Sequence, residues 1–310
     1  MKAKLTLALI TLVCGYQLAA QKNCSSFTYQ QQQLEQQPSL REGLNNIETF
    51  TRNYIATHAN EPNDGANARG GSVNVIRIPV VVHILYHQQN ENISDAQVNK
   101  QIEILNECFR RLNADTSNTP TRFAGVAADC EIEFQLAVSD PRRRNTTGII
   151  RKYTPISLWQ ADDKVKSNAE MGDDAWDTKS YLNIWVCNLD RVAGYSTMPG
   201  GPADKDGVVI SFGAFGLGFI GGMDKGRTTV HEVGHWLNLK HLWGDEYCGD
   251  DGISDTPKQA GYNAGCPSGV QITCDNGAKG DMYMNYMDYT NDECMNLFTL
   301  GQKARMRSLF

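Results

Sequence analysis

The chain has 310 residues, of which 41% are hydrophobic and 21% charged, with 5 Trp, 12 Tyr and 10 Phe, which is core material enough to exclude global disorder. Its 29 Lys and Arg against 35 Asp and Glu leave a formal charge of −6, which argues against a nucleic-acid binder held by phosphate neutralisation. Beyond the N-terminus no apolar run reaches the roughly 20 residues a membrane-spanning helix needs.

The first residues have the order of an export signal: Lys2 and Lys4, then an apolar run from Leu5 to Cys14, then Leu18-Ala19-Ala20 as a small-residue exit. Cleavage after Ala20 makes residues 1–20 a signal peptide and the mature chain a secreted one, extracellular or periplasmic. Val13 before Cys14 does not fit a lipid-attachment box. Removal of the signal leaves eight of the nine cysteines, now in a compartment where disulfides persist. Cys248, Cys266, Cys274 and Cys294 crowd the C-terminal part, where spacing alone leaves three pairings open.

Residues 21–58 read as a small helical module. Pro38-Ser39-x-x-Glu42 opens a helix with a capping box, and Leu40, Leu44, Ile47 and Tyr54 follow at helical spacing. The stretch from His58 to Ser72 has almost nothing to bury and reads as a protease-sensitive linker. A module, a soft linker and a large domain form the layout of a zymogen, with residues 21–68 as pro-segment and 69–310 as the main domain. A tethered helical appendage is the alternative.

The main domain opens on a β-branched strand, residues 73–86, with Ile76, Ile78, Val80, Val81, Val82 and Ile84. A helix capped by Ser94-x-x-Gln97 follows, with Val98, Ile102, Leu105, Phe109 and Leu112 on one face. Strands are expected at 131–138, 181–186 and 207–212, and a Gly/Pro-rich stretch at 193–207. The order indicates an α/β (α+β) fold with a mixed sheet. His83 and His87 fall in core or rim positions. From about Trp243 regular patterning fades, and that part needs disulfides or ions to hold it.

Three of the six histidines lie within the eleven residues from His231 to His241. On a helix at about 100° per residue, His231 and His235 share a face about 6 Å apart, a spacing that lets both bind one tetrahedral zinc ion. Glu232 stands beside the first ligand, within reach of a water on the metal. His241 is about 240° away from that face. It becomes a third ligand only if the helix stops and the chain returns. Asn238 suits that stop, since Asn tolerates the left-handed backbone that ends a helix.

His231-Glu232-x-x-His235-x-x-Asn238-x-x-His241 resembles the signature of metzincin metalloproteases. With Asn285-Tyr286-Met287-Asp288-Tyr289 downstream, the pair is similar to the pappalysin family, in particular its short prokaryotic members. Similarity extends through Pro79-Val80-Val81-Val82-His83, Gly200-Gly201-Pro202-Ala203, Asp255-Thr256-Pro257 and Phe298-Thr299. Asn238 stands where most metzincins carry glycine, a variant pappalysins accept.

The resemblance implies a twisted mixed sheet with a backing helix and an active-site helix, and an irregular C-terminal subdomain held by disulfides and calcium. It implies zinc held by His231, His235 and His241, and Glu232 as the general base and acid of peptide hydrolysis. Met287 becomes the methionine under the metal and Tyr289 the tyrosine near it, a phenol suited to steadying an oxyanion. Asp292 becomes the base of the pocket for the residue after the cut, predicting cleavage on the amino side of Arg or Lys in peptide substrates. Ala68-Arg69 is then a self-cleavage point. Cys24 becomes a latency switch through which the pro-segment inhibits its own enzyme, although Ser25 replaces the usual glycine; a disulfide is the alternative. Cys248–Cys274 and Cys266–Cys294 are the implied disulfides, and Asp251, Asp255 and the Thr256 carbonyl the favoured calcium ligands. The peptide is expected to add as a strand to residues 207–212 as sheet edge. The rival to this reading is an exported zinc- and calcium-binding protein without catalysis.

Overall fold

A computed structural model describes residues 24–58 and 74–310. The signal peptide, most of the linker and the Ala68–Arg69 bond lie outside the described residues. Helices α1 (Ser26–Gln36) and α2 (Leu40–His58) form the N-terminal module. There follow strand β1 (Ile76–Tyr86), helix α3 (Asp95–Phe109), the single turn α4 (Thr121–Ala124), and strands β2 (Ile132–Leu136), β3 (Ile149–Tyr153), β4 (Leu182–Cys187), β5 (Gly194–Ser196) and β6 (Val208–Ser211). The last two helices are α5 (Arg227–Trp236) and α6 (Leu300–Arg307). No helix among the described residues is long and apolar enough to cross a membrane.

β1 is central because its residues can be buried on both faces, as parallel strands require. It runs parallel to β4 from Val80↔Leu182 to Ile84↔Val186. On its other edge β2 pairs with the first half and β3 with the second, both parallel. Gly148 makes that division possible: it adopts φ +72°, and a Cβ there would stand 2.7 Å from the Ala137 nitrogen. β6 extends the sheet parallel to β4, and β5 closes it antiparallel to β6.

The sheet faces bury different sets. Ile78, Val80, Val82 and Ile84 face the large core with α3 and α5. Leu85 joins Trp185, Tyr195 and Trp159 on the opposite face. His83 is fully buried there, stacked on Trp185 and tied to Asp173 at 2.7 Å and Asn183 at 3.0 Å. It is a core histidine with both ring nitrogens bonded.

Several sequence expectations change. The first module holds two helices; α1, polar and glutamine-rich, showed no strong apolar period. Leu112 is 72% exposed because α3 ends at Phe109. The Gly/Pro-rich stretch contains β5, and β3 has no alternation to reveal it. The edge of the sheet is therefore β5, and β6, expected at the edge, is an interior strand.

The C-terminal part is irregular from Leu237 to Thr299 apart from short turns. Two disulfides, Cys248–Cys274 and Cys266–Cys294, close it, the two pairings the resemblance implied. In the chain-entropy picture loops of this length contribute about 3–4 kcal/mol each.

Candidate active site

α5 carries the first two histidines, and its ends are held from outside. At the N-terminus Asp292 Oδ2 accepts from the Lys225 and Arg227 amides at 2.9 and 3.0 Å, a carboxylate at the positive end of the helix dipole. Val230 and Val233 face the core, and His231, Glu232 and His235 are fully buried. At the C-terminus the Leu239 amide returns to the Gly234 carbonyl at 2.9 Å while Asn238 stands at φ +76°. The helix stops where Asn238 was expected to stop it, and the chain brings His241 back to the other two.

The Nε2 atom of His235 lies 3.1 Å from Nε2 of both His231 and His241. Every Nδ1 faces an acceptor: the Tyr286 carbonyl at 2.7 Å for His231, the Leu239 carbonyl at 2.8 Å for His235, and Asp245 Oδ1 at 2.5 Å for His241. A carbonyl or carboxylate oxygen needs a donor, so each Nδ1 carries the hydrogen and each Nε2 presents a lone pair. Three lone pairs converging on one buried point fit a divalent ion bound by neutral imidazoles, as zinc is. Asp245 and the Tyr286 and Leu239 carbonyls were not anticipated; of these only Asp245, one helical turn beyond His241, carried a sequence signal.

Met287 packs beneath α5. A Cβ on Gly234 would stand 2.5 Å from the Met287 sulfur, so the glycine permits this approach. The Met287 turn is fixed by Asn285 and Gln302, whose side-chain amides exchange hydrogen bonds at 2.8 and 3.0 Å. Asp288 is buried among Gln259, Asn263 and the Tyr289 amide, and burial pushes its carboxyl up to about 6. The Tyr289 ring lies 5.6 Å from His231 and 5.0 Å from His241.

The N-terminal module reaches this point. Cys24 Sγ and the three histidine nitrogens lie within 4.8 Å of one another, and Cys24 forms no disulfide. Cys24 pairs parallel to Gly194 of β5, and the Ser25 amide donates to the Gly194 carbonyl at 3.1 Å. The Tyr289 hydroxyl donates to the Cys24 carbonyl at 3.2 Å. Ser26 donates to Glu232 Oε2 at 2.7 Å and accepts from the Ser196 amide at 2.8 Å. Module residues thus occupy both the fourth side of the histidine cluster and the sheet edge.

Of the residues nominated for calcium, Asp251 and Thr256 share one network and Asp255 stands in another. Asp251 accepts from Thr256 Oγ1 at 2.8 and 2.9 Å and from the Ile253 amide at 3.0 Å. Asp255 gives one oxygen to Thr299 Oγ1 and the other to the Gly301 amide, fastening the start of α6.

Residues 165–310 match the M43 peptidase family, described as pregnancy-associated plasma protein-A. An extracellular metalloprotease of Verticillium alfalfae is 32% identical over 248 residues, covering 76% of each chain. One of Arthroderma gypseum is 26% identical over 305 residues, 94% of this chain and 85% of its own. Among solved structures, mature mirolysin of Tannerella forsythia in complex with a cleaved peptide is 51% identical, with a TM-score of 0.75 over 77% of this chain and 92% of that one. A promirolysin variant of the same organism is 45% identical, with a TM-score of 0.80 over 93% and 94%. The histidine cluster, the fold and these relatives agree: this chain is a metalloprotease of the M43 pappalysin family, with a metzincin-type fold.

Proposed function

We propose that the chain is the secreted zymogen of a zinc endopeptidase that cuts on the amino side of Arg, and less readily Lys. The observation that carries the catalytic part is the convergence of three imidazole Nε2 atoms beside a buried glutamate. The zymogen part rests on Cys24 and Ser26 lying against that cluster and against Glu232. The extracellular relatives and the pro-form of mirolysin support secretion and latency.

His231, His235 and His241 would hold the metal. A zinc ion there would supply Lewis acidity, making water more acidic and polarising a carbonyl. Glu232 takes the proton of the attacking water and later hands it to the leaving amine. Tyr289, freed from the Cys24 carbonyl, donates a hydrogen bond to the oxygen on which charge develops. Met287 is a positioning residue, packing under α5 and so setting the height of the histidines. The peptide pairs with β5, the edge that the module occupies before activation. Latency then has a direct cause, since the module covers the edge, the metal face and the base together.

Asp292, at the N-terminal end of α5, supplies the negative charge that selects a basic side chain after the cut. Residues 1–20 act as signal and 21–68 as pro-segment, with cleavage before Arg69 releasing residues 69–310. A structural calcium near Asp251 is supported by burial, which pushes that carboxyl up to about 7, a cost a cation would relieve. A calcium-selective chelator is then expected to lower the melting temperature.

A mixed peptide library digested by the processed protein, with and without a zinc chelator, tests the whole reading. Chelator-sensitive cuts before Arg are expected. Glu232→Ala is expected to keep the metal and lose turnover; undiminished turnover in that variant, or a metal-loaded wild type that cuts nothing, overturns the assignment in favour of a non-catalytic metal binder.

A further inference from the structure

Tyr29 of α1 is 2% exposed, on the face of the sheet opposite α5. Its ring packs against that of Tyr195 of β5 at 4.8 Å between centroids. Its hydroxyl donates to Asp163 and accepts from Lys166 Nζ at 3.2 Å. Lys166 is fully buried, 3.1 Å from Asp163, and its ammonium lies 4.9 Å from the centre of the Tyr29 ring. Lys166 also donates to Thr197 Oγ1 at 2.9 Å and to the Lys205 carbonyl at 2.8 Å, so its position is fixed by the main domain itself. Burial pushes its pKa down, and the Asp163 charge works against that shift. A donor, an acceptor and an aromatic wall of the main domain thus surround one phenol, to which Gln33 of α1 also donates at 2.6 Å. Tyr29 is supplied by the segment that the zymogen reading removes.

The place of this pocket along the β5 edge follows from α5. Thr197 hydrogen-bonds to Gly207, and Asp206 beside it accepts from Trp236 at the C-terminal end of α5. Asp292 sits at the N-terminal end of the same helix. The two features lie on opposite sides of the histidines, so if Asp292 receives the residue after the cut, the Tyr29 pocket faces residues before it.

We propose that, once the N-terminal module has left, Asp163, Lys166, Thr197 and Tyr195 form a second specificity subsite that binds a tyrosine side chain of the substrate on the amino side of the scissile bond. Its assignment to that side rests on the Asp292 reading. Its chemistry does not. The pocket prefers a phenol over a plain ring because, with no hydroxyl present, the buried Lys166–Asp163 pair loses a partner on each side. The module fills the subsite with its own tyrosine, so latency and specificity share one contact.

The test uses the processed enzyme and a peptide series with Arg fixed after the cut and Tyr, Phe or Ala placed in turn at each of the four preceding positions. At one position Tyr is expected to exceed Phe in kcat/KM on the order of tenfold. Lys166→Met is expected to bring that ratio close to one. So is Asp163→Asn, which keeps a residue able to hold the left-handed backbone found at Asp163 (φ +66°). The readout is the Tyr-to-Phe ratio within each enzyme, so a general loss of fold or activity cancels. Equal rates for Tyr and Phe at all four positions, or an unchanged ratio in both variants, overturns the proposal. Cleavage that ignores Arg but still favours Tyr over Phe sinks the Asp292 reading and leaves the subsite standing.

Discussion

The hydroxyl of Ser26 donates to Oε2 of Glu232 at 2.7 Å, and the same oxygen lies 3.5 Å from Cys24 Sγ. Two residues of one segment, Cys24 and Ser26, therefore engage Glu232 and the histidine side of the site together. Hydrogen bonds to a charged group contribute about 1.5–3 kcal/mol. Ser26→Ala is accordingly expected to raise the turnover of the uncleaved protein roughly tenfold, and Cys24→Ala to raise it further. Peptidase assays on intact zymogen check this; a Ser26→Ala protein as silent as the wild type removes Ser26 from the latency device.

One substitution separates the contact Asp292 makes from the role proposed for it. Its oxygen fastens the start of α5, and in the proposed function its charge selects the substrate. Asn keeps an oxygen for the Lys225 and Arg227 amides and is as good a cap as Asp, whereas Ala gives up about 1 kcal/mol of capping. Asp292→Asn is expected to fold normally and to lose at least tenfold of its preference for Arg over a neutral residue after the cut. An unchanged preference, read from the same peptide library, rules out the pocket role.

The module docks through a charge pair that responds to acid. Arg305, 1% exposed, holds the Asn238 carbonyl with Nε at 2.6 Å and binds Glu48 Oε2 of α2 at 2.5 Å. Burial raises the Glu48 pKa, but the Arg305 hydrogen bond and charge outweigh it and bring it down from 4.5 to about 2. A carboxyl depressed in the docked state stabilises docking above its free pKa, and loses that contribution as pH falls from about 4.5 toward 2. Glu48 is partly solvated, so the contribution is about 1–2 kcal/mol. Glu48→Gln is expected to melt a few degrees lower than wild type at neutral pH, with the gap closing below about pH 4. A gap that does not change with pH contradicts the assignment.

Gly234 and Met287 are coupled by contact. Replacing a mid-helix glycine with alanine ordinarily stabilises by up to about 1 kcal/mol. Here the new methyl meets the Met287 sulfur at 2.5 Å, and overpacking costs about 1–3 kcal/mol, so the clash wins. Gly234→Ala is expected to destabilise the protein, and a double substitution with Met287→Ala to cost less than the sum of the two single changes. Denaturant melts of the four proteins measure the coupling; strict additivity means the contact is absent.

The metal site was legible because its information is local. His231 and His235 share a helix face by spacing alone, and Asn238 announces the reversal that returns His241. β1 and α3 were equally plain, since β-branched runs and capping boxes act over a few residues. Tyr289, Met287 and Asp292 had no local signal and were reached only through family resemblance. β3 and β5 stayed hidden because short strands in Gly-rich or charged stretches are stabilised by neighbours far along the chain.

Sequence by itself determined the donor set and the turn that assembles it, because each depends on contacts between residues a few positions apart. Only the tertiary structure decided that β5 is the edge strand of the sheet, that Ser26 faces Glu232, and that Tyr29 lies against Lys166 and Asp163. Those pairs are separated by well over a hundred residues, and such contacts arise when packed elements close a long loop, which no local spacing encodes.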